Sequence, residues 1–283
     1  MKNKKIPIFY HIPKCGGTYI LYLYKYLNKE NEKKIRKPSG NWNNNQICRR
    51  INIYLDNKRY LGATGIIEIE DLLKLNCKLE SHSNAFSIKE LYNLIDNKKI
   101  KITSIFIEPT GDGNMSESRK EVDKLLAYIN KKPVYFTIIR DVFQRIYSEY
   151  AYLVDDMSNH EPTHEYYRLY HDFEQFLIQS NRYDNQTSRQ IAYNISLDNN
   201  SFENIKRFFD DFIILTMQNI KEAAIKVWQE CYGWSANCDN DNLFPRNKNI
   251  NKKKLSIEDI SKEAREQFLI KTEWDRKLYA YLS

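Results

Sequence analysis

The chain has 283 residues, of which 42% are hydrophobic and 29% charged, and its formal net charge is +7. This composition excludes a disordered protein, and no apolar run approaches the roughly 20 residues of a membrane-spanning helix. The N-terminus lacks the apolar region of a signal peptide. The positive charge favours anionic partners but is no signature of nucleic-acid binding. We expect a single domain over residues 1–283, with a lid or excursion at about 28–60.

The first predicted element is a buried strand over Ile6–Tyr10, followed by a lysine, two glycines and a helical segment. Backbone amides at a helix N-terminus attract anions, and glycine allows a ligand to approach the backbone closely. Lys14, Gly16, Gly17 and Thr18 therefore predict an anion-binding loop. In the loop that binds nucleotide triphosphates the lysine follows the last glycine. Here it precedes both, which favours a different phosphate-bearing ligand; a plain tight turn is the alternative.

Strands and helices alternate through the rest of the chain, after a polar, asparagine-rich stretch over residues 28–45. Such alternation predicts an α/β fold with a central parallel sheet flanked by helices. The predicted elements are one or two short strands within 51–67, a helix over Ser87–Asp96, a strand over Ile100–Glu108, a helix over Ser116–Ile129, a strand over Val134–Ile139 and a late strand over Phe212–Leu215.

A second cluster of candidate ligands follows the strand over Val134–Ile139. Arg140 stands where this strand ends, and Arg145 and Ser148 follow at helical spacing. We expect these side chains at the carboxyl edge of the sheet, where open α/β folds bind ligands. Arginine forks with a serine hydroxyl suit a phosphate monoester. The alternative is an ion pair between Arg140 and Asp141 with a solvated helix face behind it.

Together, the two segments resemble the sulfotransferases that use 3′-phosphoadenosine 5′-phosphosulfate (PAPS), in the branch of carbohydrate O-sulfotransferases and bacterial relatives. The 5′-phosphosulfate loop of that family, H-I-P-K-x-G-G-T/S, is matched by His11–Thr18. Its 3′-phosphate motif, I-R-D-P-x-x-R-x-x-S-x-Y, is matched by Ile139–Tyr150, with Val142 where proline is usual. Weaker likenesses follow at Asn185–Gln190, Phe209–Met217 and Trp274–Leu282.

The resemblance implies a P-loop-like sulfotransferase fold and in-line transfer of a sulfuryl group from PAPS to a hydroxyl of a carbohydrate or small metabolite. The product nucleotide would be adenosine 3′,5′-bisphosphate (PAP). It further implies an enzyme that needs no metal and no nucleic acid. Since Golgi relatives carry a membrane anchor and no such segment is evident here, we expect a cytoplasmic enzyme of a bacterium or a virus, without a membrane span. Lys14 would stabilise charge on the departing nucleotide. The implied cofactor-binding residues are His11, Lys14, Cys15, Gly16, Gly17, Thr18, Arg140, Arg145, Ser148 and Arg189.

The general base is left open. Relatives place His or Glu at the carboxyl end of a strand that precedes the 3′-phosphate strand, and Glu108 has that position here. A carboxylate that only caps a turn is the alternative for Glu108. His82, which would titrate near neutral pH, is the second candidate, and Asp112 is a third.

Five cysteines, at positions 15, 48, 77, 231 and 238, form no C-x-x-C pair, so neither a zinc site nor a disulfide framework is indicated. Since family members often carry Thr or Cys at the position of Cys15, we interpret it as a backbone donor with a small side chain. A nucleophilic thiol is the alternative.

Two other functional classes compete with a sulfotransferase. A nucleotide-dependent kinase or hydrolase on the same scaffold would need magnesium ligands and a triphosphate loop, which the lysine-before-glycine order speaks against. A non-catalytic binder of nucleotide or anionic glycan would keep the arginines and dispense with a base.

Overall fold

The computed structural model describes residues 5–17, 19–20, 46–55, 59–68, 84–87, 96, 100–107, 115–152, 170, 172–192, 195–232 and 255–283. In these ranges one sheet of seven strands has the order β4-β2-β3-β5-β1-β6-β7. The strands are β1 (Lys5–Tyr10), β2 (Gln46–Leu55), β3 (Arg59–Glu68), β4 (Asn84–Ser87), β5 (Ile100–Ile107), β6 (Lys132–Ile139) and β7 (Ile213–Thr216).

The part of the sheet around β1 is parallel: β1 pairs with β5 and β6, and β6 pairs with β7. This confirms the α/β class with parallel strands. The sheet as a whole is mixed, however, because β3 is antiparallel to both β2 and β5. Only three residues connect β2 to β3, and so short a connection permits antiparallel pairing alone. Ser87, where the helix over Ser87–Asp96 was predicted to begin, is instead the last residue of β4 and pairs with Tyr54 of β2.

Helices pack against the sheet and against one another. The helix over Ile220–Tyr232 contacts β1, β6 and β7, and the helix over Met115–Tyr128 contacts β6. The helices are α1 (Met115–Tyr128), α2 (Val142–Ala151), α3 (Phe173–Gln179), α4 (Gln186–Ala192), α5 (Asn199–Phe208), α6 (Ile220–Tyr232), α7 (Lys262–Lys271) and α8 (Glu273–Leu282), with a short 3-10 turn at Ile257–Asp259.

The core lies on both faces of the central strands. From Ile6 to Tyr10 every residue of β1 is buried, and the last six residues of β6 are buried as well. Continuous burial of this kind is expected for parallel strands that are covered on both faces. Phe9 and Phe136, neighbours across β1 and β6, hold their ring centroids 5.1 Å apart. The carboxyl ends of β1 and β6 are thereby fixed side by side.

The C-terminal helices are anchored by a lysine at the end of α7. The ammonium of Lys271 donates to the carbonyls of Ile178 at 2.7 Å, Ser180 at 3.0 Å and Leu177 at 3.3 Å. These carbonyls end α3, where a helix leaves acceptors unsatisfied and favours a cation. One residue, Thr272, separates α7 from α8, and α8 packs against α2, α4 and α5.

Among the helices that the structure describes, none is both long enough and apolar enough to cross a bilayer.

Candidate anion-binding site

The predicted anion-binding loop leaves β1 next to the end of β5. The amide of His11 donates to the carbonyl of Ile107 at 2.8 Å, which extends the pairing of β1 with β5 by one residue. The amide of Cys15 then donates to the carbonyl of Ile12 at 3.2 Å and closes a turn. This amide, predicted to face a ligand, therefore has a partner within the loop.

The turn passes into a helix at Gly17, as the sequence predicts. The amide of Ile20 donates to the carbonyl of Gly16 at 3.2 Å, the first bond of that helix. Gly16 has a φ of +81°, a conformation that glycine adopts without strain. A Cβ at Gly16 would lie 3.2 Å from Cδ1 of Ile220, so the start of α6 covers the loop. Thr18 lies outside the described residues.

The second glycine of the loop is required by the ring of His11. A Cβ built on Gly17 would lie 2.2 Å from Nε2 of His11 and within 2.7 Å of two ring carbons. Such distances are far below van der Waals contact. The imidazole therefore packs directly on the backbone at the helix start, and the H-x-x-x-x-x-G spacing of the motif has a steric reason.

Lys14 is held between the two predicted segments. Its φ of 62° is in the left-handed region, which costs a residue with a Cβ about 1 kcal/mol or more. Its carbonyl accepts a hydrogen bond from Nη1 of Arg140 at 3.4 Å, and its ammonium lies 3.5 Å from the ring centroid of Tyr152. Segments 126 residues apart in the chain thus meet at one lysine.

Arg140 stands at the carboxyl end of β6, as predicted, and is half-buried. Burial lowers the pKa of its guanidinium. The group nevertheless remains protonated and charged, because arginine is a very strong base. No carboxylate within the described residues forms an ion pair with it. Asp141 instead caps α2, where its carboxylate accepts from the amide of Gln144 at 2.9 Å. The alternative of an Arg140–Asp141 ion pair is therefore not what the structure shows.

Arg145, predicted to bind a phosphate, lies in a buried network. Only 2% of its surface is exposed. Its Nη2 lies 3.1 Å from Oδ2 of Asp275, and its Nη1 donates to Oε1 of Gln186 at 2.6 Å. Both terminal nitrogens thus have partners inside the protein. A role in ligand binding stays a prediction for Arg145, while its role in joining α2, α4 and α8 is visible in these contacts.

Asp275, which the sequence did not single out, is the centre of this network. Its carboxylate accepts from the amide and the hydroxyl of Ser188, each at 2.8 Å, and from the amide of Thr187 at 3.2 Å. Asn185 adds a hydrogen bond between the same two segments, since its Oδ1 accepts from the amide of Trp274 at 2.7 Å. In the sequence, the weak family likenesses at Asn185–Gln190 and Trp274–Leu282 were the one signal that pointed to this network. In the structure, these two segments contact each other through the hydrogen bonds of Asp275 and Asn185.

A small cleft joins the loop to this network. Arg140 and Cys15 line it on the side of the loop, Arg145 and Asp275 on the side of the network, and Leu278 belongs to its apolar wall. The cleft opens at the carboxyl ends of β1 and β6, the edge at which parallel α/β folds bind ligands.

The other two predicted ligands occupy different surroundings. Ser148, half-buried on α2, follows Arg145 by three residues and precedes Tyr152 by four. Residues at these spacings share a helix face, so Ser148 lies on the face of α2 that meets the loop. Arg189, on α4, is exposed and holds Asp184 in a 2.9 Å ion pair. The structure thus brings Lys14, Arg140 and the Ser148 face together and places Arg189 in a separate surface contact.

The candidate bases Glu108, His82 and Asp112 lie outside the described residues. Glu108 directly follows Ile107, the residue whose carbonyl binds the first amide of the loop. In the part of the chain that the structure describes, no group of three or more His, Cys, Asp or Glu side chains is arranged to hold a metal.

Cys15 is expected to resist alkylation in the native protein. Burial raises the pKa of its thiol to about 11, even though Arg145 and Arg140 act in the opposite direction. At pH 8 roughly one thiol in a thousand would then be ionised, against about one in four for an ordinary cysteine. Iodoacetamide treatment and peptide mass mapping, with and without guanidinium chloride, measure this. Rapid native alkylation of Cys15 would restore the nucleophilic alternative.

No family model, no curated protein and no solved structure matches this chain. The site is therefore characterised by its own geometry: a glycine loop at a helix start, a lysine in the left-handed region, and an arginine that holds the carbonyl of that lysine.

Proposed function

We propose that this protein is a PAPS-dependent O-sulfotransferase with a P-loop-like fold. The hydrogen bond from Arg140 to the carbonyl of Lys14 carries the proposal. It places the segment that resembles a 5′-phosphosulfate loop beside the segment that resembles a 3′-phosphate motif. A nucleotide with phosphates at both positions would span these two segments.

The charges around the site support this ligand. Among the described residues, the guanidinium of Arg140 has one hydrogen-bond acceptor, the Lys14 carbonyl at a long 3.4 Å. Asp141, the nearest carboxylate in sequence, is occupied at the start of α2. A half-buried guanidinium that forms no ion pair among the described residues favours an anion, and its planar fork suits a phosphate.

The proposed reaction is an in-line displacement at sulfur. The acceptor hydroxyl oxygen forms a bond to sulfur while the bond from sulfur to the bridging oxygen of the phosphosulfate breaks, and PAP departs. Lys14 stabilises the charge that develops on this bridging oxygen. The hydroxyl proton passes to a general base, for which Glu108 is the first candidate and His82 the second. The acceptor class is a carbohydrate or a hydroxylated small metabolite.

Calorimetric titration with PAP, AMP and ATP-Mg tests the donor site. We expect PAP to bind at least about tenfold more tightly than AMP, because charge-assisted hydrogen bonds contribute about 1.5–3 kcal/mol. Arg140→Ala should remove that advantage, because it lowers the affinity for PAP far more than the affinity for AMP. Arg207→Ala, which removes an arginine from the last turn of α5, is the matched control and should bind PAP like the wild type.

The other outcomes identify the competing functions. Tighter binding of ATP-Mg than of PAP would favour a kinase or hydrolase and contradict the proposal. Tight PAP binding without transfer of label from PAPS to any hydroxyl acceptor, and without slow hydrolysis of PAPS, would favour a non-catalytic binder.

A further inference from the structure

The loop lysine is held at both of its ends by the segment that follows β6. At the backbone end, the carbonyl of Lys14 accepts from Arg140. At the side-chain end, the ammonium lies over the ring of Tyr152, 3.5 Å from the centroid. Tyr152 is the C-cap of α2, and its amide donates to the carbonyls of Ser148 and Glu149. These hydrogen bonds fix the backbone of Tyr152 at the end of α2, and so they fix the point from which its ring extends.

The position of the ring sets the direction of the ammonium. Tyr152 shares a face of α2 with Ser148 and Arg145, by helical spacing. A lysine side chain has a flexible four-carbon stem, so a contact with a fixed ring narrows the volume that its charge samples. A cation within about 6 Å of an aromatic face is attracted by the ring quadrupole. The ring holds the charge over the face of α2 that meets the loop.

Two features show that this placement is built into the fold. Lys14 has the left-handed φ of 62°, which directs its side chain differently from an ordinary loop residue. In addition, 45% of the Tyr152 surface is exposed, although the rings of Tyr150 and Tyr147 on the same helix pack against Phe173. Tyr152 thus lies outside that aromatic cluster and faces the loop.

We propose that Tyr152 is a positioning residue for Lys14. Its ring, at the C-terminal end of α2, fixes the ammonium so that the charge is oriented before an anionic ligand arrives. The consequence for PAPS rests on the proposed function, whereas the placement of the lysine does not. Orienting the charge in advance spares the ligand the entropy of ordering a flexible side chain.

Nuclear magnetic resonance on the full chain tests the placement without any ligand. Reductive methylation with ¹³C-formaldehyde gives each lysine a dimethylamino signal and keeps its charge, and Lys14→Arg identifies the signal of Lys14. We expect this signal to be shifted upfield by the ring current of Tyr152. Tyr152→Phe should keep the shift, and Tyr152→Leu should abolish it. Tyr281→Leu, which removes another exposed tyrosine, should leave it in place.

Titration of the same variants with PAP tests the consequence. Tyr152→Leu is expected to weaken PAP binding about threefold to tenfold, with Tyr152→Phe close to wild type. If the Lys14 signal is the same in wild type and Tyr152→Leu, the positioning role is wrong, whether or not PAP binds. If the signal depends on the ring but wild-type protein does not bind PAP, the positioning role stands and the sulfotransferase proposal fails.

Discussion

Replacing Asp275 by alanine is expected to lower the free energy of unfolding by about 3–5 kcal/mol. Its side chain is 2% exposed and pairs with Arg145, whose side chain is 3% exposed. Alanine would leave a buried guanidinium without its counter-charge. It would also remove the acceptor for two amides at the start of α4, those of Thr187 and Ser188. An unpaired buried charge together with orphaned donors makes this the most costly single change we predict.

Urea unfolding followed by circular dichroism measures the effect, with the slope of the transition checked against wild type. Asp210→Ala, at an exposed aspartate after α5, is the matched control and should change stability by less than about 0.5 kcal/mol. A loss at Asp275 no larger than that of the control would show that the ion pair contributes little to stability.

A double variant separates the charge from the packing. Arg145→Met combined with Asp275→Leu removes both charges and keeps apolar volume, and buried ion pairs replaced in this way often lose little stability. We expect the double variant to be clearly more stable than Asp275→Ala. Equal loss in both would assign the stabilisation to the capped amides of α4 instead of to the ion pair.

The strands around the site could be predicted because their signal is local. The run predicted over Ile6–Tyr10 is the strand Lys5–Tyr10, and that over Val134–Ile139 is Lys132–Ile139. Each is a continuous apolar segment that ends at a charged or polar residue, so burial alone defines it. The turn into a helix at Gly17 could be predicted for a similar reason, since two glycines separate one apolar segment from the next.

Long-range pairing could not be predicted in the same way. Helical spacing placed Arg145 and Ser148 on one face of α2, but spacing does not say what that face meets. In the structure Arg145 meets Asp275, 130 residues further along the chain. The insertion of the antiparallel β2–β3 pair beside β5 is a second example, because a strand's partner depends on the whole sheet and leaves no mark in its own sequence.

Replacing Gly17 by alanine is expected to disrupt the anion-binding loop while leaving the rest of the sheet intact. The added Cβ would lie 2.2 Å from Nε2 of His11, so the imidazole must swing away or the helix start must shift. Overpacking of this kind costs typically about 1–3 kcal/mol. Because the displaced elements form the loop, PAP affinity should fall at least about tenfold, which calorimetry on the variant measures.

The cause of this effect is open to a double-mutant cycle. His11→Ala removes the ring that the new Cβ would meet, so His11→Ala combined with Gly17→Ala should recover most of the stability lost by Gly17→Ala alone. Gly16→Ala is the matched control: its φ of +81° penalises any side chain through the backbone, and His11→Ala should not rescue it. Rescue of both glycine variants, or of neither, would show that the contact between His11 and Gly17 does not shape the loop.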